Sequence, residues 1–273
     1  MCPLGAAHEY TLIIRQHTLR RSGTPLAAMH TFIRRLFGAS RDASDWSAVD
    51  EWATAKGHRF ARSRDGSGFV VEPSLAAAGW RLEWGAPQRH FVTGHELRVR
   101  AEVAATGDLQ MLLMTLPLMT LLEQQMFEEF TEGTQTRMDH GTPEEMRWLV
   151  LYPKVPQAEM AALHDSFGAL SSLPRAAQRW IEGPLSQQLE ASSAWLTVGQ
   201  PLVLVVQRGR LTLRCGQPRP EVAALQGALR LFDVARTAAR RVGDEVAQGA
   251  ISRERPSRWG APRAMPGVEE SGR

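Results

Sequence analysis

Two segments of this chain alternate apolar and charged residues so regularly that few folds remain open to it. Trp80, Leu82 and Trp84 are interleaved with Arg81 and Glu83, and Leu97, Val99, Ala101 and Val103 with Arg98, Arg100 and Glu102. Successive side chains of a strand point to opposite faces, so a period of two marks a strand with one face in the core and the other against water or charge. Half-buried strands of this kind belong to antiparallel sheets. The loop between them, residues 85–95, gathers Gln88, Arg89, His90, His95 and, just beyond it, Glu96.

The neighbouring segments extend the same unit. Asp45 is placed to cap a helix over Trp46–Lys56, in which Trp46, Val49 and Ala53 recur at helical spacing, and Gly57 is placed to end it. His58–Arg64 and Gly68–Glu72 flank Asp65-Gly-Ser-Gly, a hairpin signal. A helix followed by a four-stranded meander is therefore expected.

Beyond residue 104 the pattern is less regular. Leu109–Thr115 is apolar without a clean period, so strand and helix both remain open. Helices are expected over Leu118–Glu132, after the Thr142-Pro143-Glu144-Glu145 start signal, over Gln157–Phe167, and over Pro174–Glu190 with a break at Gly183-Pro184. Trp148–Tyr152 is expected to run from helix toward a short strand. Trp195–Val198, Leu202–Gln207 and Arg210–Arg214 read as strands, the last two joined at Arg208-Gly209. Val222, Leu225, Leu229, Phe232, Ala235, Ala239, Val242 and Val246 form one stripe, which predicts a long amphipathic helix over Pro220–Val246. The fold class that follows is α+β, with antiparallel meander and hairpin units packed against helices. The expected organisation is a basic, partly flexible extension over 1–41, a globular region over 42–250 with a possible division into 42–108 and 109–250, and a disordered tail over 251–273. Because Met29 offers a second start, residues 1–28 are read as a dispensable extension.

Composition narrows the function classes. The 273 residues include no apolar run longer than Met111–Leu122, and that run contains Pro117, so a transmembrane helix of about 20 apolar residues is not expected. The chain is basic overall, yet the charge is unevenly placed: residues 1–41 sum to +5, residues 251–273 to +2, and residues 42–250 to −4. A nucleic-acid binder should carry its basic stripe on the folded domain, so nucleic acid is disfavoured as a partner. Thirty Arg against two Lys and no Asn fits the codon usage of a GC-rich bacterial genome, which weakens Arg abundance as a sign of phosphate recognition. The two cysteines, Cys2 and Cys215, build neither a disulfide framework nor a CxxC site, and a cytoplasmic location is the expectation.

No complete catalytic set emerges. The sequence has no GxSxG elbow, no GxxxxGK[ST] or GxGxxG phosphate loop, and no HExxH or CxxC metal spacing, and no cofactor is implied. Glu144 and Glu145 are accounted for by the helix dipole. Met111, Met114, Met119, Met126, Met138 and Met146 recur among Leu and Phe, as core filler does. The leading expectation is a non-enzymatic protein-binding or accessory module whose partner is another protein. Its candidate contact residues are Arg89, His90, Arg98 and Arg100 on the meander and Trp259 in the tail. One alternative is a metal-assisted hydrolase using His90, His95 and Glu96 with a further ligand such as Asp139 or His140. A second is peripheral membrane or nucleic-acid contact through the basic N-terminus.

Overall fold

The computed structural model describes residues 45–74, 79–104, 108–131 and 144–251. Expectations for the N-terminal extension, for residues 252–273 with Trp259, and for Met138, Asp139 and His140 lie outside the described residues.

Helix α1 (Ser47–Ala55) precedes four strands, β1 (His58–Arg62), β2 (Phe69–Pro73), β3 (Trp80–Gly85) and β4 (Glu96–Glu102). Strand β5 (Met111–Thr115) runs directly into α2 (Leu116–Thr131), and α3 (Glu144–Leu151) follows. Then come β6 (Phe167–Ser171), α4 (Pro174–Ile181), α5 (Pro184–Glu190), β7 (Leu202–Gln207), β8 (Arg210–Gly216) and the long α6 (Val222–Ala247). All eight strands form one antiparallel sheet in the order β1-β2-β3-β4-β8-β7-β5-β6. The chain is therefore α+β, as its periodicity predicts.

The register shows why the sheet has a sided character. Phe60, Val71, Leu82, Val99, Leu213, Leu204, Leu113 and Ala169 align as one row across all the strands. All but Phe60 are buried, and the row belongs to the main core, where α1, α4, α5 and α6 cover it. The α6 stripe reaches this core through Leu225, Phe232, Ala235, Ala239 and Val242. Trp180 of α4 is fully buried there and donates its indole N–H to the Ala235 carbonyl at 2.9 Å.

The opposite face changes character part-way across. On β3, β4 and β8 the aligned residues are charged or polar: Glu83, Arg98 and Arg214 in one row, Arg81, Arg100 and Thr212 in the next. From β7 onward the same rows continue as Val203 and Met114, and as Val205, Leu112 and Leu170. This apolar half is covered by Leu118, Met119 and Leu122 of α2, Met146 and Trp148 of α3, and Phe91 and Val92 of the β3–β4 loop. A second, smaller core results. Met111, Met114, Met119 and Met146 are all buried, as their mixture with Leu and Phe implies.

The structure resolves one open choice and changes two expectations. The open choice over Leu109–Thr115 resolves as strand β5, because this segment pairs with both β6 and β7. The helix expected over Gln157–Phe167 is replaced by two 3₁₀ turns, Gln157–Glu159 and Ala161–Leu163, before the chain extends into β6. His164-Asp165-Ser166 favours a turn, and Phe167 onward is recruited by β5, so tertiary pairing overrides a good local helix propensity. The segment Trp195–Val198 is not a strand; it leaves a 3₁₀ turn (Ala191–Ala194) and reaches β7 through Gly199, whose φ is +79°.

Candidate functional site

The first set of candidate residues sits on the charged half of the back face. Glu96 is fully buried and holds three donors: the Gln88 backbone N–H at 2.6 Å, Arg214 at 2.6 Å and Arg98 at 3.3 Å. Arg98 also reaches Glu83, which in turn binds Arg81 and, at 3.1 Å, Arg100. Glu72 extends the network by pairing with Arg59 and Arg81. Burial alone pushes the Glu83 carboxyl up, but the Arg81 hydrogen bond and the charges of Arg100, Arg98 and Arg81 together hold it below the usual carboxylate range. These ion pairs link five neighbouring strands, β1, β2, β3, β4 and β8.

Arg89 has a task of its own. Its Nε lies 2.9 Å from both carboxylate oxygens of Glu145, which is only 3% exposed. The sequence places Glu145 at a solvated helix end; the structure buries it where α3 crosses the β3–β4 loop. The pair ties that loop to the helix, so Arg89 anchors the small core.

The two histidines of the loop are held by aromatic rings. His95 stacks on Trp84 with ring centroids 4.2 Å apart and an 8° interplanar angle, and Trp84 donates its indole N–H to the Gln217 carbonyl at 2.7 Å. His90 is exposed and meets Phe91 edge-on at 5.7 Å. The side chain of Glu96 is given to Arg98 and Arg214. Among the described residues no three His, Cys, Asp or Glu side chains gather into a group that could hold a metal ion. Cys215 is buried against the sheet core, and burial, followed by the nearby Glu96 charge, pushes its thiol far up, so it stays a neutral thiol.

A different feature has the form of a binding site. At the end of the sheet where β5 leaves, β6 begins and β7 enters, the layers on the two faces part and leave a groove of 470 Å³. Phe91, Pro117, Leu118 and Leu121 form one wall; Leu163, Phe167, Leu189 and Leu196 form the other. Val198 stands at the rim with 98% of its surface exposed, and Leu121 is 42% exposed. Thr115, Ser166 and Thr197 add hydroxyls, while Asp165 and Glu190 add carboxyls. The volume lies in the range of ligand-sized clefts, and apolar walls with a few polar groups are the usual composition of such sites.

The chain matches no family model. No curated protein matches it either. Among solved structures, the mycobacterial trehalose monomycolate transport factor A is similar to this chain at 10% identity and a TM-score of 0.40, over 70% of this chain and 92% of that one. A likeness at that level supports no conclusion about function, which has to be argued from geometry.

Sequence reading passes over this groove. Leu121 lies in an apolar run that looks like core, and Val198 in a β-branched segment that looks like strand. The available signal was Val198-Gly199-Gln200-Pro201, since Gly followed two residues later by Pro marks a loop that can leave an apolar residue exposed.

Proposed function

We propose that this protein is a non-enzymatic binding or accessory module that holds a partner protein in the groove between α2 and the 191–201 segment. The observation that carries this reading is the pairing of an apolar groove with exposed apolar rim residues, Leu121 and Val198. Exposing Val198 almost completely has a free-energy cost in water that contact with a partner removes, because apolar surface gains about 25 cal/mol per Å² on burial. Protein contacts commonly have this anatomy, an apolar centre within a polar rim.

Arg89 and Arg98 are held by buried carboxylates, so they support the fold beside the groove's Phe91 wall more than they offer free donors. Arg100 and His90 are the exposed members of the meander set and remain candidates for the outer edge of a contact. The test is a pull-down from the native host with the full chain and with a Leu121→Asn/Val198→Asn variant. The expected result is a stoichiometric partner on the wild type that is lost from the variant, with an unchanged melting temperature. Equal capture by both would count against the groove, and no partner on the wild type would count against the reading itself.

A further inference from the structure

The groove carries charge of one sign. Among the described residues, its ionisable lining side chains are Asp165 and Glu190, both acids, and no Lys or Arg lines it. Among the described residues, the base paired with Asp165 is His164, whose Nε2 lies 3.0 Å from its carboxylate; 84% of the Asp165 side chain stays exposed. Among the described residues, the Glu190 carboxylate accepts one long 3.4 Å hydrogen bond, from Ser186 on its own helix. The hydroxyls of Thr115, Ser166 and Thr197 make no hydrogen bond among the described residues, so all three are available to a guest. A carboxylate or phosphate guest would meet like charge here, whereas a cationic one would meet complementary charge.

The apolar surface also extends beyond the cavity. A small molecule filling 470 Å³ would leave Val198 in water, since that residue projects from the rim. A peptide chain lying across the opening would insert side chains into the groove and cover the rim as well.

We infer that the groove takes a short segment of a partner protein in which large apolar side chains stand next to Lys or Arg. The apolar side chains enter between Leu118 and Leu196, and the basic group lies over Asp165 and Glu190. This inference rests on reading the groove as a protein-contact surface, and it adds the chemistry of what binds.

The experiment is a selection of phage-displayed random 12-residue peptides on the immobilised full chain, run in parallel on the Leu121→Asn/Val198→Asn variant. The expected outcome is enrichment of sequences with two or more large apolar residues beside Lys or Arg, absent from the variant. The selected peptide is then measured by fluorescence anisotropy against Asp165→Asn/Glu190→Gln. Rim charge pairs are individually weak, so affinity should fall about fivefold, and the difference should shrink in high salt. Enriched peptides that need Leu121 and Val198 but show no basic preference, or tolerate the neutralised rim, would overturn this inference and leave the protein-contact reading intact. No enrichment, or peptides that bind the variant equally well, would overturn both.

Discussion

At the scale of single residues, the molecule's most consequential polar choice is the burial of two carboxylates, Glu96 and Glu145, each held by arginine. A charge removed from water is tolerated only when paired, and breaking such a pair leaves its partner uncompensated. Arg89→Ala should therefore destabilise the protein by about 3 kcal/mol, since Glu145 would be left buried without its cation. Urea unfolding checks this. Replacing both partners, as Arg89→Leu/Glu145→Leu, should recover most of the loss; a double variant as weak as the single one would mean that Arg89 acts through something other than the pair. The Arg89–Glu145 pair could not be assigned from the sequence. Glu145 sits 56 positions from Arg89 and looks like any acid in a first helical turn.

At the scale of elements, the meander is the part most legible in the sequence, because period-two alternation specifies both the strand and the face it buries. Its charged face carries a pH dependence. Asp65, in the β1–β2 turn, is held at about 2 by hydrogen bonds from Ser63 and then Ser67. The Arg59 and then Arg81 hydrogen bonds lower the Glu72 carboxyl, and Glu83 is lowered as well. Folded values below the unfolded ones, about 3.9 for Asp and 4.3 for Glu, mean stability that is present above those unfolded values. That contribution is lost as pH falls through the folded values toward 2. The melting temperature should drop over this window, and Glu72→Gln/Glu83→Gln should flatten the drop; an equally steep curve in the variant would remove the network as its cause.

A second prediction at this scale concerns α6. A Cβ on Gly227 would lie 2.6 Å from Cγ of Trp195 and closer still to its Cδ1, atoms near the root of a rigid side chain. Gly227→Ala should therefore destabilise despite the better helix propensity of alanine, by about 1–3 kcal/mol, the usual cost of overpacking. It should also shift Trp195 fluorescence as the wall holding Leu196 moves. A stabilised protein with unchanged emission would show that the 191–201 segment yields freely.

At the scale of the whole molecule, the sheet is one continuous layer whose centre is β3, β4, β8 and β7, and whose outer strand β1 pairs on one side with β2. Hydrogen exchange should be slowest in β4, β8 and β7, which are paired on both sides and packed on the main core, and faster in β1. Early exchange in β8 would indicate that the two halves of the sheet open separately. The features legible in the chain's own order are local: the alternation of β3 and β4, the Asp65-Gly66 turn, the break at Gly183-Pro184 and the stripe of α6. Each follows from backbone geometry and side-chain spacing over a few residues. The tertiary structure alone decided that 111–115 is a strand, that 157–166 is not a helix, and that one face of the sheet turns from charged to apolar between β8 and β7. It also decided the groove, for Leu121, Ser166 and Val198 lie far apart in the chain and meet only because β5, β6 and β7 are neighbours. Non-local pairing of that kind depends on which strands bury the most apolar surface together, a quantity that no short window of sequence contains.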